Sequence, residues 1–156
     1  MFLIIQPKDF NKNYLMLSEK TKNNIMNDGY FYRLFYSDIY GTIKGLFLGF
    51  ELRNITIEKY FNKLKCSFTN SNNVKIIGFI KALEKSILDI IPDRQNKIAV
   101  YRIEEQLQND YIKIFYNNQQ STPENKDSAK LLLKISGIWT NDKEYGVTFR
   151  FFFIRQ

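Results

Sequence analysis

The chain has 156 residues and a net charge of +7, and its residues are 44% hydrophobic and 16% aromatic. This composition excludes an intrinsically disordered chain and indicates a single folded domain over residues 1–156. The chain has no histidine and only one cysteine, Cys66, which excludes His-based catalytic triads, an intrachain disulfide and a Cys-based metal site.

The excess positive charge suits a polyanionic partner, either nucleic acid or an anionic membrane surface. The apolar runs, such as Phe151 to Ile154, are far shorter than the ~20 residues that cross a bilayer. The N-terminal MFLIIQPKDF lacks the positive leader of a secretory signal. We therefore expect an intracellular, cytoplasmic protein without a membrane partner, and an unpaired cysteine fits a reducing compartment.

Residues 1–28 are predicted to form an N-terminal extension of the main domain. A short apolar run, Phe2 to Ile5, ends before Pro7 and suits an edge strand or an arm that docks on a partner. A second apolar run, Tyr14 to Leu17, predicts another short strand. Asn27-Asp28-Gly29 predicts a turn, after which we place an OB-like barrel over residues 29–156.

Three strands are predicted in the next segment, over residues 30–40, 42–53 and 55–68. Aromatic and β-branched residues dominate all three, and Gly41 separates the first two. Gly45 and Gly49 interrupt the second strand. Glycines within a strand predict a sharp bend of the sheet or the close approach of another backbone or a ligand.

Residues 74–91 predict a helix with one broad apolar face, which Pro92 ends. The polar run at residues 70–73 offers its N-cap. Residues 98–110 are ambiguous: Ile98 to Tyr101 suits a strand, whereas Arg102 to Gln108 suits a helical turn. Tyr111 to Tyr116 predicts a strand in which Tyr111, Lys113 and Phe115 share a face. The polar residues 117–128 predict a flexible loop.

Residues 130–154 predict an antiparallel hairpin with one apolar face. Its apolar positions are Leu131, Leu133, Ile135, Gly137 and Trp139 on the first strand and Val147, Phe149, Phe151 and Phe153 on the second. Lys134 and Arg150 point to the opposite face. The connecting loop, residues 140–145, is polar, and Gly146 can supply a positive φ at its end.

The order of these elements predicts a mostly β fold. A three-stranded meander, a helix between the third and fourth strands and a returning hairpin suit an oligonucleotide/oligosaccharide-binding (OB) barrel with one capping α-helix. The alternative is an α+β fold in which one helix crosses an antiparallel sheet.

The hairpin also resembles a known family. Lys134 to Trp139 (KISGIW), a short polar loop and Tyr145 to Phe151 (YGVTFRF) resemble the C-terminal end of single-stranded DNA-binding proteins from large DNA viruses and cytoplasmic linear plasmids. The resemblance covers about a sixth of the chain. It implies an OB barrel with a groove for single-stranded DNA. Many replicative single-strand binders end in an acidic recruitment tail, whereas this sequence ends FIRQ, so recruitment through such a tail is not expected.

Single-strand binding needs cations along the phosphates and aromatic rings that stack on bases. The residues that combine these types on the predicted strands are Phe31, Arg33, Phe35, Lys44, Phe47, Phe61, Lys63, Lys65, Lys113, Lys134, Trp139 and Arg150. On any one strand the same pattern also suits an ordinary solvated face. Trp139 is interpreted first as a core anchor of the hairpin and second as a base-stacking residue.

We interpret the chain as a sequence-nonspecific single-stranded DNA-binding protein of DNA replication or repair. The alternatives are a structural or assembly subunit, such as a virion component that self-associates through Phe2–Ile5 or Phe152, and an RNA-binding barrel. The carboxylate pairs in the sequence read as surface charge or caps, and no phosphate-binding glycine loop or metal-ligand spacing occurs. We therefore expect no enzyme activity, no cofactor and no metal.

Overall fold

The computed structural model describes residues 3–25, 28–115 and 126–154. The fold is mostly β, as predicted. The strands are β1 (Leu15–Leu17), β2 (Thr21–Lys22), β3 (Tyr30–Asp38), β4 (Gly41–Lys44), β5 (Leu46–Tyr60), β6 (Lys63–Ser67), β7 (Ile98–Val100), β8 (Tyr111–Phe115), β9 (Lys126–Thr140) and β10 (Glu144–Phe153). The helices are α1 (Val74–Leu88) and α2 (Arg102–Gln108).

Five of these strands close into a barrel. Strand β5 pairs with β6, β6 with β8, β8 with β10, β10 with β9, and β9 returns to β5. Four of the five pairings are antiparallel, and that between β8 and β10 is parallel. A closed five-stranded barrel with packed helices confirms the predicted OB-like architecture.

The predicted meander is only partly correct. Strand β3 forms a hairpin with β4, but it lies outside the barrel and pairs with the end of β9, from Gly137 to Thr140. The barrel therefore begins at β5, and both helices lie between its second and third strands, not between the third and fourth. The capping helix is joined by a second one among the described residues, because residues 102–108 form the helical turn considered for them, and residues 98–100 form the strand.

The boundary between the second and third predicted strands is wrong. Strand β5 runs without a break from Leu46 to Tyr60 through Asn54, whose φ is +53°. The buried positions change parity there, from Leu52 before Asn54 to Ile55 after it, so the irregularity keeps both halves of a long strand facing the core. The chain reverses instead at Phe61, whose φ is +55°.

Helix α1 packs its apolar face onto the barrel core. Its buried residues include Ile77, Ile80, Leu83 and Ile87, and they belong to the same apolar cluster as the inward side chains of the barrel strands. The predicted N-cap is not formed. The Asn73 side chain instead accepts a hydrogen bond from Arg53 N (2.8 Å) and donates one to Arg53 O (3.1 Å), which ties the start of α1 to β5.

Helix α2 is held by a carboxylate from α1. Glu84 is completely buried, and its two oxygens accept hydrogen bonds from the backbone N–H groups of Ile103 (3.0 Å) and Glu104 (2.9 Å). These groups belong to the first turn of α2, where N–H groups have no partner within the helix. Glu84 therefore caps α2 from outside it and joins the two helices.

The N-terminal segment packs against β5. Ile5 donates from its N–H to Phe47 O (2.8 Å) and accepts from Gly49 N (2.9 Å), so it forms a parallel bridge at an edge that β5 otherwise leaves unpaired. Gly49 permits this approach, because a Cβ there would lie 2.7 Å from Cγ2 of Ile4. The space at Gly49 is therefore occupied by the side chains of Ile4 and Gln6, and not by another backbone as predicted.

The predicted loop at residues 117–128 lies largely outside the described residues. Residues 126–128 belong to β9 and pair with β5, so the predicted loop ends too late and includes the first residues of this strand.

Neither described helix is both long and apolar enough to cross a membrane.

Candidate nucleic-acid interface

The C-terminal hairpin places two cations side by side on the outer surface of the barrel. Lys134 and Arg150 are register partners across β9 and β10, while their neighbours Leu133 and Phe151 face the core. On the other side of β9, Lys134 is the partner of Phe47. The predicted outward orientation of Lys134 and Arg150 is confirmed.

Strands β6 and β8 contribute more cations to the same outer surface. Lys65 and Lys113 are register partners, and Lys63 is paired with Phe115. The residues between them, Leu64, Cys66, Ile112 and Ile114, are buried in the core. Because β8 pairs with β10, this group adjoins Arg150.

Four of these cations lie over aromatic rings. The Lys65 ammonium is 4.6 Å from the ring centroid of Tyr111, and that of Lys113 is 5.5 Å from Tyr60. The Lys134 ammonium is 5.8 Å from Phe47, and the Arg150 guanidinium is 5.1 Å from Phe115. These distances are within the range of cation–π attraction. We call the group the barrel patch: Lys63, Lys65, Lys113, Lys134 and Arg150 with Phe47, Tyr60, Tyr111 and Phe115.

The cations of the barrel patch are not neutralised within the described part of the chain. The ion pairs among the described residues involve the cations Lys20, Arg53, Arg94 and Lys97. None of these belongs to the barrel patch. One carboxylate, Glu58, is the register partner of Lys65. The patch therefore has a marked excess of positive charge beside partly exposed rings.

The structure separates four predicted residues from this group. Phe31, Arg33 and Phe35 lie on β3, and Lys44 is the register partner of Phe35 on β4. Both strands are outside the barrel, so these residues form a second surface beside the end of β9 and not a direct continuation of β6 and β8.

Phe61 is also displaced from its predicted face. It lies in the turn between β5 and β6, is 90% exposed, and packs edge-on against Tyr60 with ring centroids 4.9 Å apart. It therefore stands at the rim of the barrel patch, beside Lys63.

Trp139 is buried, but not in the barrel core. A β-bulge at Ser136 shifts the register between β9 and β10, so Ile138 faces the core and Trp139 faces outward, opposite to the parity predicted from Leu133 and Ile135. The indole packs against Gly146, where a Cβ would lie 2.8 Å from Cζ2 of the ring.

The outer side of Trp139 is covered by Arg102, whose guanidinium is 4.9 Å from the ring centroid. The indole is only 7% exposed, and its Nε1 has no hydrogen-bond partner among the described residues. Gly146 is needed for this packing and does not adopt the predicted positive φ, which among the described glycines occurs at Gly41 and Gly45.

The sequence correctly placed two aromatic members of this surface, Tyr111 and Phe115, on one face with Lys113. Tyr60 was missed because the turn was placed too early, which assigned it to the face of Leu64. Phe152, 5.6 Å from Phe115 between ring centroids, was considered only for self-association.

The two segments considered for self-association both make contacts within the chain, but Phe2 lies outside the described residues and Leu3 is 50% exposed. Ile5 is buried against β5, and the Phe152 ring packs against Phe115. Other apolar side chains are far more exposed, among them Phe61 (90%) in the turn between β5 and β6 and Tyr40 (88%) in the turn between β3 and β4.

The described residues contain no cluster of three or more Cys, Asp or Glu side chains able to hold a metal ion.

The fold and the barrel patch together define an OB-like barrel protein with a basic, aromatic outer surface. No family model, curated protein or solved structure matches this chain.

Proposed function

We propose that the protein binds single-stranded DNA on the barrel patch, without sequence preference, in support of DNA replication or repair. The observation that carries the proposal is the set of unneutralised cations on β6, β8, β9 and β10 that lie over aromatic rings. Lysine and arginine attract phosphates, and an adjacent ring offers its face to a base, which are the two contacts that single-strand binding requires.

The preference for a single strand follows from the aromatic part of the patch. Phe115 is 44% exposed and Tyr60 is 41% exposed, so a base can reach these rings. Bases in a duplex already stack on their neighbours and present only their edges to a protein. All residues of the barrel patch lie on strands. The patch therefore offers no helix that could enter a major groove.

The lack of sequence preference follows from the polar part of the patch. Its cations suit phosphate oxygens, which carry no direct sequence information. Amide side chains, which both donate hydrogen bonds to base edges and accept them, as Asn and Gln do, are not among the barrel-patch residues. Affinity should therefore depend on salt much more than on base composition.

The direct test is a binding panel with labelled oligonucleotides of matched length: single-stranded and duplex, DNA and RNA, at two salt concentrations. We expect tight binding of single-stranded DNA at low salt, weaker binding of duplex, and a steep loss of affinity as salt rises. Absence of binding at low salt overturns the proposal. A preference for RNA would move the function to an RNA-binding barrel, since the 2′-hydroxyl distinguishes the two.

A charge-reversal pair locates the site. Lys134→Glu and Arg150→Glu each place a carboxylate among the barrel-patch cations, and both should weaken binding strongly. Lys75→Glu makes the same charge change at an exposed position on α1, away from the outer strand surface, and should leave affinity within about twofold after correction for net charge. Equal losses in all three variants would show that net charge alone drives binding.

A further inference from the structure

Strand β3 carries outward side chains that meet the outer surface at the end of β9. Phe31 is the register partner of Trp139, and Arg33 is the partner of Gly137. The Phe31 ring fills the space above Gly137, because a Cβ at that position would lie 2.5 Å from Cζ of Phe31. The ring therefore lies against the sheet and extends the outer surface beyond the barrel.

Two arginines lie near the rings at this place. The Arg33 guanidinium is 5.8 Å from the Phe31 ring centroid, and the Arg102 guanidinium is 4.9 Å from that of Trp139. Both arginines are exposed, and neither belongs to an ion pair within residues 3–25, 28–115 and 126–154. We call these four residues the β3 patch; it repeats the combination of cation and ring found on the barrel patch.

The two patches are joined along β10. Thr148 is the register partner of Gly137, which is in turn the partner of Arg33. Thr148 and Arg150 are both exposed and two positions apart on the same strand, a separation of about 7 Å. The two residues between the patches on this path, Thr148 and Gly137, are uncharged, so neither of them repels a phosphate between Arg150 and Arg33.

We propose that the β3 patch is a second subsite for single-stranded DNA, which holds the nucleotides that extend past the barrel patch. Arg33 binds a phosphate there, and the Phe31 ring receives a base. This inference rests on the proposed function of the barrel patch. It predicts that affinity rises in two steps with oligonucleotide length, because short strands fill the barrel patch and longer ones also reach β3.

The test is a titration with oligo-dT of increasing length, from about 4 to 16 nucleotides, the range of single OB-fold sites. Fluorescence anisotropy of a labelled strand measures affinity at low salt. Arg33→Glu should leave the shortest bound strand unaffected and weaken the longest at least about fivefold, the loss expected for one contact. Lys134→Glu should weaken every length.

Trp139 supplies an independent readout. It is the only tryptophan in the chain. Its indole lies 4.9 Å from the Arg102 guanidinium, and Trp139 is the register partner of Phe31. A strand that reaches the β3 patch should change its emission, whereas one that fills only the barrel patch should not. The change should therefore appear only with the longer strands and be absent in Arg33→Glu.

The outcomes separate the two proposals. If Lys134→Glu weakens binding while Arg33→Glu weakens no length and Trp139 emission never responds, the β3 subsite is wrong and the barrel site stands. If the unmodified protein binds no length of oligo-dT, both proposals are wrong. Arg33 is exposed, so its reversal is not expected to disturb folding, and thermal unfolding of the variant verifies this.

Discussion

The Arg150 guanidinium on β10 lies 5.1 Å from the centre of the Phe115 ring on β8, so the parallel pair that closes the barrel also brings a cation and an exposed ring together. The two residues are far apart in sequence and meet only because β8 and β10 pair. The strongest candidate contact point for a nucleotide is therefore a product of barrel closure.

Removal of this ring should cost affinity but little stability. Phe115→Ala deletes a partly exposed side chain that contacts Arg150 and Phe152. We expect binding of single-stranded DNA to weaken by about 1–3 kcal/mol, the usual cost of one lost base stack. Anisotropy titration measures it. Tyr40→Ala, which removes an aromatic ring that is 88% exposed in the turn between β3 and β4, is the matched control and should bind normally.

The salt dependence should report how many phosphates the cations contact. Lys113→Ala removes one barrel-patch cation without adding a negative charge. The slope of log affinity against log salt should become shallower by about 0.7, the value for one lost contact on a single strand. Lys75→Ala should keep the slope of the parent. An unchanged slope for Lys113→Ala would mean that its ammonium does not contact phosphate.

Two glycine substitutions should have opposite effects on stability. A Cβ on Gly137 would strike the backbone oxygen of Tyr32 and the Phe31 ring, so Gly137→Ala should lower the free energy of unfolding by at least about 1–3 kcal/mol, the typical cost of overpacking. Gly78, within α1, has open space around it, and Gly78→Ala should raise stability by up to about 1 kcal/mol through helix propensity. Chemical denaturation measures both, and a neutral Gly137→Ala would contradict the packing described here.

The buried carboxylate between the helices should make stability depend on pH. Burial raises the pKa of Glu84, and the hydrogen bonds from Ile103 and Glu104 partly oppose this. A carboxyl group whose pKa is higher in the folded state stabilises the fold most below its unfolded pKa of about 4.3, and this contribution is lost as pH rises through the folded pKa. Glu84→Gln should abolish this dependence.

The same substitution should also destabilise the protein at neutral pH. Gln has only one oxygen acceptor, so one of the two N–H groups at the start of α2 would face an amide NH₂ group. An unsatisfied buried donor costs about 1–3 kcal/mol. Denaturation at several pH values compares the two proteins, with Glu105→Gln, at an exposed position of α2, as the control. A constant difference between Glu84→Gln and the parent across pH 4–7 would contradict the shifted pKa.

Much of the local structure followed from the sequence. Alternation located β3, β8 and the two strands of the C-terminal hairpin, helical periodicity located α1, and the order of these elements predicted a mostly β barrel. These features depend on which face of an element is buried, and a side-chain period of 2 or 3.6 records that directly. The outward positions of Lys134 and Arg150 follow from the same rule.

What the sequence could not determine depends on contacts between distant residues. Alternation does not show which strands pair. It therefore could not predict that β3 lies outside the barrel or that Arg150 lies beside Phe115. Nor did it reveal the bulge at Ser136, which reverses every later residue of β9 and moves Trp139 from the predicted core face to the outer surface under Arg102. A one-residue irregularity changes the face of a strand at almost no cost in local propensity, so only the paired tertiary structure decides it.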